Sequence, residues 1–277
     1  MQGSPNTTHA REATESNRAR TLVRFNALLF HALAVASFIE TSPRGSDSGH
    51  GVAVAGADTT GWLSGVWQPR REARARELRG YIEAVWPEFD WINAYEEFSR
   101  TREERPVWPD ARTNPTCSAL QRCVLASQAA AFYRAIAKCA DDPALRELLR
   151  AAATDHARGF EFFRSCYALS ASRRRVGLVA ACRTVLEASR LARDFDVADA
   201  FLPLSAHWYG MPTILPLGYQ EFLRRMAPLV ARHAGLGRLE KLLFSPWSGR
   251  AALRPAPAIQ PGRDGGTPRW APLKKAA

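Results

Sequence analysis

The chain has 277 residues, of which 46% are hydrophobic, enough to bury one large core or two small ones. Its net charge is +11, but six Lys and Arg residues lie in residues 249–277 beside one acidic residue, so the remainder is only mildly basic. No stripe of basic and aromatic side chains accompanies this charge, and we therefore expect no specific nucleic-acid partner. The five cysteines include no Cys-x-x-Cys pair, which favours buried free thiols over a zinc or redox site.

The first informative element is the apolar run Phe25–Ile39, which follows several arginines. We favour a buried or amphipathic N-terminal helix and a cytoplasmic protein. The alternative is a signal peptide over residues 25–36, because basic, apolar and small residues follow one another there, and the protein would then be exported. Membrane association through residues 25–39 is not favoured, because about 20 apolar residues are needed to span a bilayer.

The rest of the chain predicts helices without strands, taken in order from the N-terminus. Residues 1–61 comprise the apolar helix and a Gly/Ser-rich linker, residues 62–245 a helical bundle, and residues 246–277 a disordered, basic, Pro/Gly-rich tail. The predicted helices cover residues 72–85, 88–104, 118–140, 143–167, 176–195, 197–208 and 219–234.

Local signals mark several of these helices. Pro87 predicts the first turn of the second bundle helix, and Asp142 with Pro143 predicts an N-cap followed by the first helical residue. The apolar stripe of the helix from Pro143 includes His156. In the helix over residues 176–195, a stripe containing Val179, Cys182 and Leu186 is expected to face the core.

The segment Ser127–Phe163 carries the clearest resemblance to a known family. Ser-Gln-Ala precedes Phe-Tyr, an Asp-Pro turn follows, and Leu-Arg-x-Leu-Leu leads to Asp-His-Ala-Arg-Gly and a Phe-Phe pair. This segment of about 40 residues resembles the first helix pair of ferritin-like or rubrerythrin-like proteins. The resemblance implies an all-α, ferritin-like helical bundle, here with an extra N-terminal helical region and disordered tails, and a di-metal site for iron, manganese or zinc.

The metal-ligand positions of that family are poorly matched. Where the family has Asp-Glu-x-x-His, this chain has His156 for the Glu and Gly159 for the His. The lone carboxylate of the preceding helix falls near Ala126 or Ser127. Glu187 could be the lone carboxylate of the second half, and of the last Glu-x-x-His only His207 remains. The resemblance therefore implies ancestry and fold more than standard di-iron chemistry.

Four residues remain as candidate metal ligands: Asp155, His156, Glu187 and His207. With Asp194 they would form a mononuclear site if the helices bring them together. The simpler interpretation is that His156 is a buried histidine with one hydrogen-bond partner, and that His207 is structural. No phosphate loop, dinucleotide fingerprint or Gly-x-Ser-x-Gly elbow is present.

Two classes of function follow. The first is a binding or structural helical protein with a degenerate di-metal site, in which a homodimer through the bundle faces is one option. The alternative is a divergent metal-dependent oxidoreductase. The sequence specifies no substrate, and iron, manganese or zinc are cofactors that only the family resemblance implies.

Overall fold

The computed structural model describes residues 21–42, 61–103, 114–173, 176–191, 196–210 and 217–234. These residues are all-α, and the only strand-like pairing among them is an isolated antiparallel bridge between Phe89 and Trp208. The elements are α1 (Ala27–Thr41), a π-helical turn (Leu63–Trp67) continued by α2 (Gln68–Val85), α3 (Trp91–Glu103), α4 (Pro115–Cys139), α5 (Pro143–Arg173), α6 (Leu178–Leu191), α7 (Ala198–Phe201) followed by a 3₁₀ turn (Leu202–Leu204), and α8 (Tyr219–Ala231).

Short polar side chains begin several helices. Asn26 caps α1 by accepting a hydrogen bond from the backbone N–H of Leu29, and Asn114 caps α4 in the same way. Asp142 accepts from the N–H of Ala144, which confirms it as the predicted start of α5. The predicted role of Pro87 is wrong, because α3 begins only at Trp91, after the Asp90 carboxylate that accepts from the N–H of Asn93.

Four helices form the centre of the bundle. α4 and α5 are joined by three residues and pack along most of their length, while α1 packs on α2, which in turn contacts α5. The apolar core is divided into two clusters: a larger one that includes Phe38 and Leu149, and a smaller one that includes Leu120 and Phe163. α8 and α6 both pack on α4.

The apolar segment near the N-terminus forms the innermost helix of the described chain. Leu33, Val35 and Phe38 of α1 are at most 1% exposed, and they lie on different sides of the helix. A helix that is apolar on every side belongs inside a core. No helix in the described ranges is long and apolar enough to cross a membrane. Of the predicted linker over residues 41–61, Thr41 belongs to α1 and residues 43–60 lie outside the described residues, as does the predicted tail 246–277.

The predicted orientation of α6 is wrong. Val179 is 83% exposed and Leu186 59% exposed, whereas Ala181 and Ala188 are buried. The helix approaches α4 through its small residues, so that the two alanines, rather than the larger apolar side chains, meet the bundle. Helical periodicity identified an apolar stripe but did not show which stripe the neighbouring helix would use.

Candidate functional site: a buried ionic cluster

A buried carboxylate, Glu40, lies in the last turn of α1 and is 6% exposed. Its Oε1 accepts a hydrogen bond of 2.7 Å from Nε2 of His156 in α5 and one of 3.0 Å from the hydroxyl of Tyr133 in α4. The rings of Tyr133 and His156 are stacked, with centroids 5.3 Å apart. A single carboxylate oxygen thereby joins three of the four central helices.

Two arginines of α2 neutralise this carboxylate from the other side. Arg74 donates from Nη2 to Oε2 of Glu40 at 3.3 Å, and Nε of Arg71 lies 3.7 Å from the same oxygen. Both arginines are at most 5% exposed. Arg71 also donates to the backbone carbonyls of Ile39 and Ser42, where α1 has no further helical turn to satisfy them.

Arg74 connects Glu40 to a second carboxylate, that of Asp155. Its Nη1 donates to Oδ2 of Asp155 at 3.0 Å. The other oxygen, Oδ1, accepts from Arg70 at 2.8 Å and from Arg158 at 3.3 Å. We call the six residues Glu40, Arg71, Arg74, Tyr133, Asp155 and His156 the Glu40 cluster.

Trp67 closes the Glu40 cluster on its apolar side. Its indole meets the ring of His156 edge-on, with centroids 5.4 Å apart, and the guanidinium carbon of Arg74 lies 5.4 Å from its ring centroid. The ring lies directly over Gly159 of α5, where an added Cβ would come within 2.6 Å of Cζ3 of Trp67. Glycine at position 159 is therefore required by the close approach of an aromatic ring.

The charges of the Glu40 cluster are strongly coupled. Burial is the largest single influence on Glu40 and would raise its pKa, but Arg74, His156 and Arg71 together hold that pKa far below its usual value. Burial likewise disfavours the charged form of Arg74, yet Glu40, Tyr133 and Asp155 raise its pKa above the usual value. Burial, with the neighbouring Glu40 charge, raises the pKa of Tyr133. Glu40 and Arg74 are thus both charged, and the phenol of Tyr133 stays protonated as a donor.

The four candidate metal ligands lie in three separate places. Asp155 and His156 belong to the Glu40 cluster, whereas Glu187 is paired with Arg183 on the surface of α6 at 2.6 Å. His207, which follows the 3₁₀ turn, bonds through Nε2 to Glu97 of α3 at 2.8 Å. Asp194 lies outside the described residues. In the part of the chain that the structure describes, no three His, Cys, Asp or Glu side chains form a group that would hold a metal ion.

The donors of the Glu40 cluster do not fit a di-metal centre in this arrangement. Iron, manganese and zinc bind through deprotonated carboxylates and neutral imidazoles. Here the carboxylate oxygens of Glu40 and Asp155 are engaged by guanidinium, imidazole or phenol donors, and His156 directs Nε2–H at Glu40. A metal ion would have to displace Arg74 from both acids. The ligand assignment from sequence nevertheless remains a prediction.

Glu40, Arg71 and Arg74 were not predicted from the sequence as site residues. The available signal lay in α2, where the buried stripe of Leu78 and Ile82, continued toward the N-terminus at helical spacing, reaches Arg74 and Arg71. Charged residues on the core side of a helix require a buried partner. Glu40, at the end of an otherwise apolar helix, is the matching acid.

Comparisons of the chain with protein-family models, with curated proteins and with solved structures found no match.

Proposed function

We propose that this chain is a helical-bundle protein of ferritin-like ancestry in which the Glu40 cluster is a structural centre, and that it acts by binding through its surfaces instead of by di-metal chemistry. The observation that supports this most directly is the pairing of Arg74 with both Glu40 and Asp155. Two acids inside a bundle are the ligands that a metal ion would need, and a guanidinium group already neutralises them.

The energetics agree with a structural role. Transferring an unpaired charge into a protein interior is strongly unfavourable, whereas a buried pair with good geometry and further hydrogen bonds is tolerated. The Glu40 cluster satisfies those conditions: its two most buried cations face Glu40, and Tyr133 and His156 supply further hydrogen bonds to it. Such a network fixes the relative positions of α1, α2, α4 and α5.

A second candidate is a divergent metal-dependent oxidoreductase. It is favoured by the direct contact of Glu40 with His156, a carboxylate and an imidazole inside a bundle, beside a second acid at Asp155. In that case Arg74 would have to leave both carboxylates for the metal to bind.

Elemental analysis discriminates between the two functions. We expect protein expressed with added iron, manganese and zinc, and purified without chelator, to hold far less than one metal ion per chain. The matched comparison is His156→Ala, which removes one imidazole from the Glu40 cluster. One equivalent of bound metal in the unmodified protein that is lost in His156→Ala would reject the proposal in favour of the oxidoreductase.

A further inference from the structure

The position of Arg74 defines a cation site inside the bundle. Its guanidinium group lies between two carboxylates from different helices, 3.3 Å from Glu40 and 3.0 Å from Asp155, and against the face of Trp67. The side chain of Arg74 is 4% exposed and that of Glu40 is 5% exposed. The cation is thus held by an acid at each of its two terminal nitrogens, and it lies over an aromatic ring.

We propose that Glu40, Asp155 and Trp67 form a binding site for a guanidinium-class cation, which the protein fills with its own Arg74 side chain. The inference rests on the function proposed above, because it assigns the cation that occupies the place of a metal ion. Two features of the site select a guanidinium: separate acids accept from its two Nη atoms, and an aromatic ring lies beneath it. Among the side chains, only arginine offers a planar fork of donors to such a site.

Two observations argue for a cation requirement rather than for simple packing of Arg74. Glu40 and Asp155 both direct a carboxylate oxygen at the same guanidinium group, so the site presents two acids to one cation. In addition, Nε of Arg74 is buried without a hydrogen-bond acceptor among the described residues, so the side chain stays in place through its Nη contacts. The two Nη groups of the guanidinium therefore make the hydrogen bonds of the site.

Chemical rescue of Arg74→Ala tests this site. The substitution removes the cation and leaves a cavity of matching shape, which ethylguanidinium would fill. We expect tens of millimolar ethylguanidinium chloride to raise the Tm of Arg74→Ala by about 2–4 °C more than equal ionic strength of NaCl does. Ethylurea, which has the same shape without the charge, should give no such increase.

The matched control is Arg79→Ala, on the same helix. Arg79 also pairs with a glutamate, Glu83, and lies over a tryptophan ring, but it is 39% exposed. We expect no specific rescue of Arg79→Ala. Three outcomes would each overturn the proposal. They are equal responses of Arg74→Ala to ethylguanidinium and ethylurea, equal rescue of Arg74→Ala and Arg79→Ala, and rescue of Arg74→Ala by Mn²⁺ in place of ethylguanidinium.

If Arg74→Ala does not fold alone, the recovery of its helical circular-dichroism signal on refolding with each additive supplies the same comparison. Arg74→Lys gives a second measure, because it retains a cation and should show less rescue than Arg74→Ala. Metal analysis of the unmodified protein tests the proposed function separately. Metal-free protein without rescue of Arg74→Ala would reject the guanidinium site alone.

Discussion

Glu40 and His156 are 116 positions apart in the chain and are joined by a 2.7 Å hydrogen bond in the centre of the bundle. The carboxylate lies at the end of α1 and the imidazole midway along α5, so the contact connects the first described helix to the longest one. Along α5, His156 lies between Ala153 of the larger apolar cluster and Phe160 of the smaller one. The Glu40 cluster is thus a polar layer between two apolar clusters.

Removing one charge of the Glu40–Arg74 pair should destabilise the protein strongly, because it leaves buried charge undercompensated. Glu40→Gln removes the charge that faces Arg71 and leaves Arg74 with Asp155 as its acidic partner, and we expect it to lower the free energy of unfolding by about 3–5 kcal/mol. Arg74→Met leaves Glu40 and Asp155 undercompensated and should cost a similar amount. Urea denaturation measures both.

The double variant Glu40→Gln/Arg74→Met is the control for this pair. We expect its loss to be smaller than the sum of the single losses by about 1–3 kcal/mol, because the second substitution removes a charge that the first had left undercompensated. Strict additivity of the two losses would show that the residues do not stabilise each other.

Gly159 should be intolerant of even one added methyl group. Ala is normally favoured over Gly inside a helix by about 1 kcal/mol, but a Cβ at position 159 would collide with the indole of Trp67. We expect Gly159→Ala to lower the free energy of unfolding by about 1–3 kcal/mol, since Trp67 would have to shift within a packed core. Thermal or urea denaturation provides the measurement.

Gly80 in α2 is the matched control for Gly159. It is a helical glycine, and an added Cβ there would meet nothing within 4 Å. Gly80→Ala should therefore stabilise the protein by up to about 1 kcal/mol. Stabilisation by both substitutions would mean that Trp67 does not pack on Gly159.

The sequence predicted the helices better than their contacts. The Asp142–Pro143 start of α5 is confirmed because capping depends on neighbouring residues. The exposed face of α6 was wrongly predicted because two stripes of the helix are apolar, and only the position of α4 decides which is buried. The Glu40–His156 contact likewise depends on tertiary packing. Gly159 stands where the family has a metal-binding His. The reason for a glycine there is steric, and it follows from the position of Trp67, which the sequence does not show.

Burial of α1 can be tested with one substitution. Leu33 is fully buried, and Leu33→Ala should lower the free energy of unfolding by about 2–5 kcal/mol, through lost apolar burial and a cavity. The same change at Leu186, which is 59% exposed in α6, should have an effect within about 0.5 kcal/mol. Urea denaturation of both variants gives the comparison. If Leu33→Ala is as stable as the unmodified protein, α1 does not belong to the core, and the signal-peptide interpretation of residues 25–36 gains support.

His31 should make the free energy of unfolding depend on pH between about pH 4 and pH 6.5. Its ring is stacked on Phe201 in α7, with centroids 4.8 Å apart, and bonds through Nδ1 to the carbonyl of Ala27. Burial lowers the pKa of His31 from 6.5 to about 4, while the Ala27 carbonyl opposes that change. Between these two values the unfolded chain binds a proton at His31 that the folded protein does not bind, so the free energy of unfolding falls as the pH falls.

The size of this effect follows from the same two pKa values. At 1.36 kcal/mol per pH unit, His31 should contribute a loss of about 3 kcal/mol between neutral pH and pH 4. His31→Phe keeps an aromatic ring against Phe201 without the titration, so its stability should fall less over this range in urea denaturation at each pH. Glu40 acts in a lower window: its pKa lies below its usual value of 4.5, so its stabilisation is lost only as the pH falls from 4.5 toward that pKa. If the free energy of unfolding of the unmodified protein and that of His31→Phe change in parallel with pH above pH 4.5, His31 is not held neutral by burial.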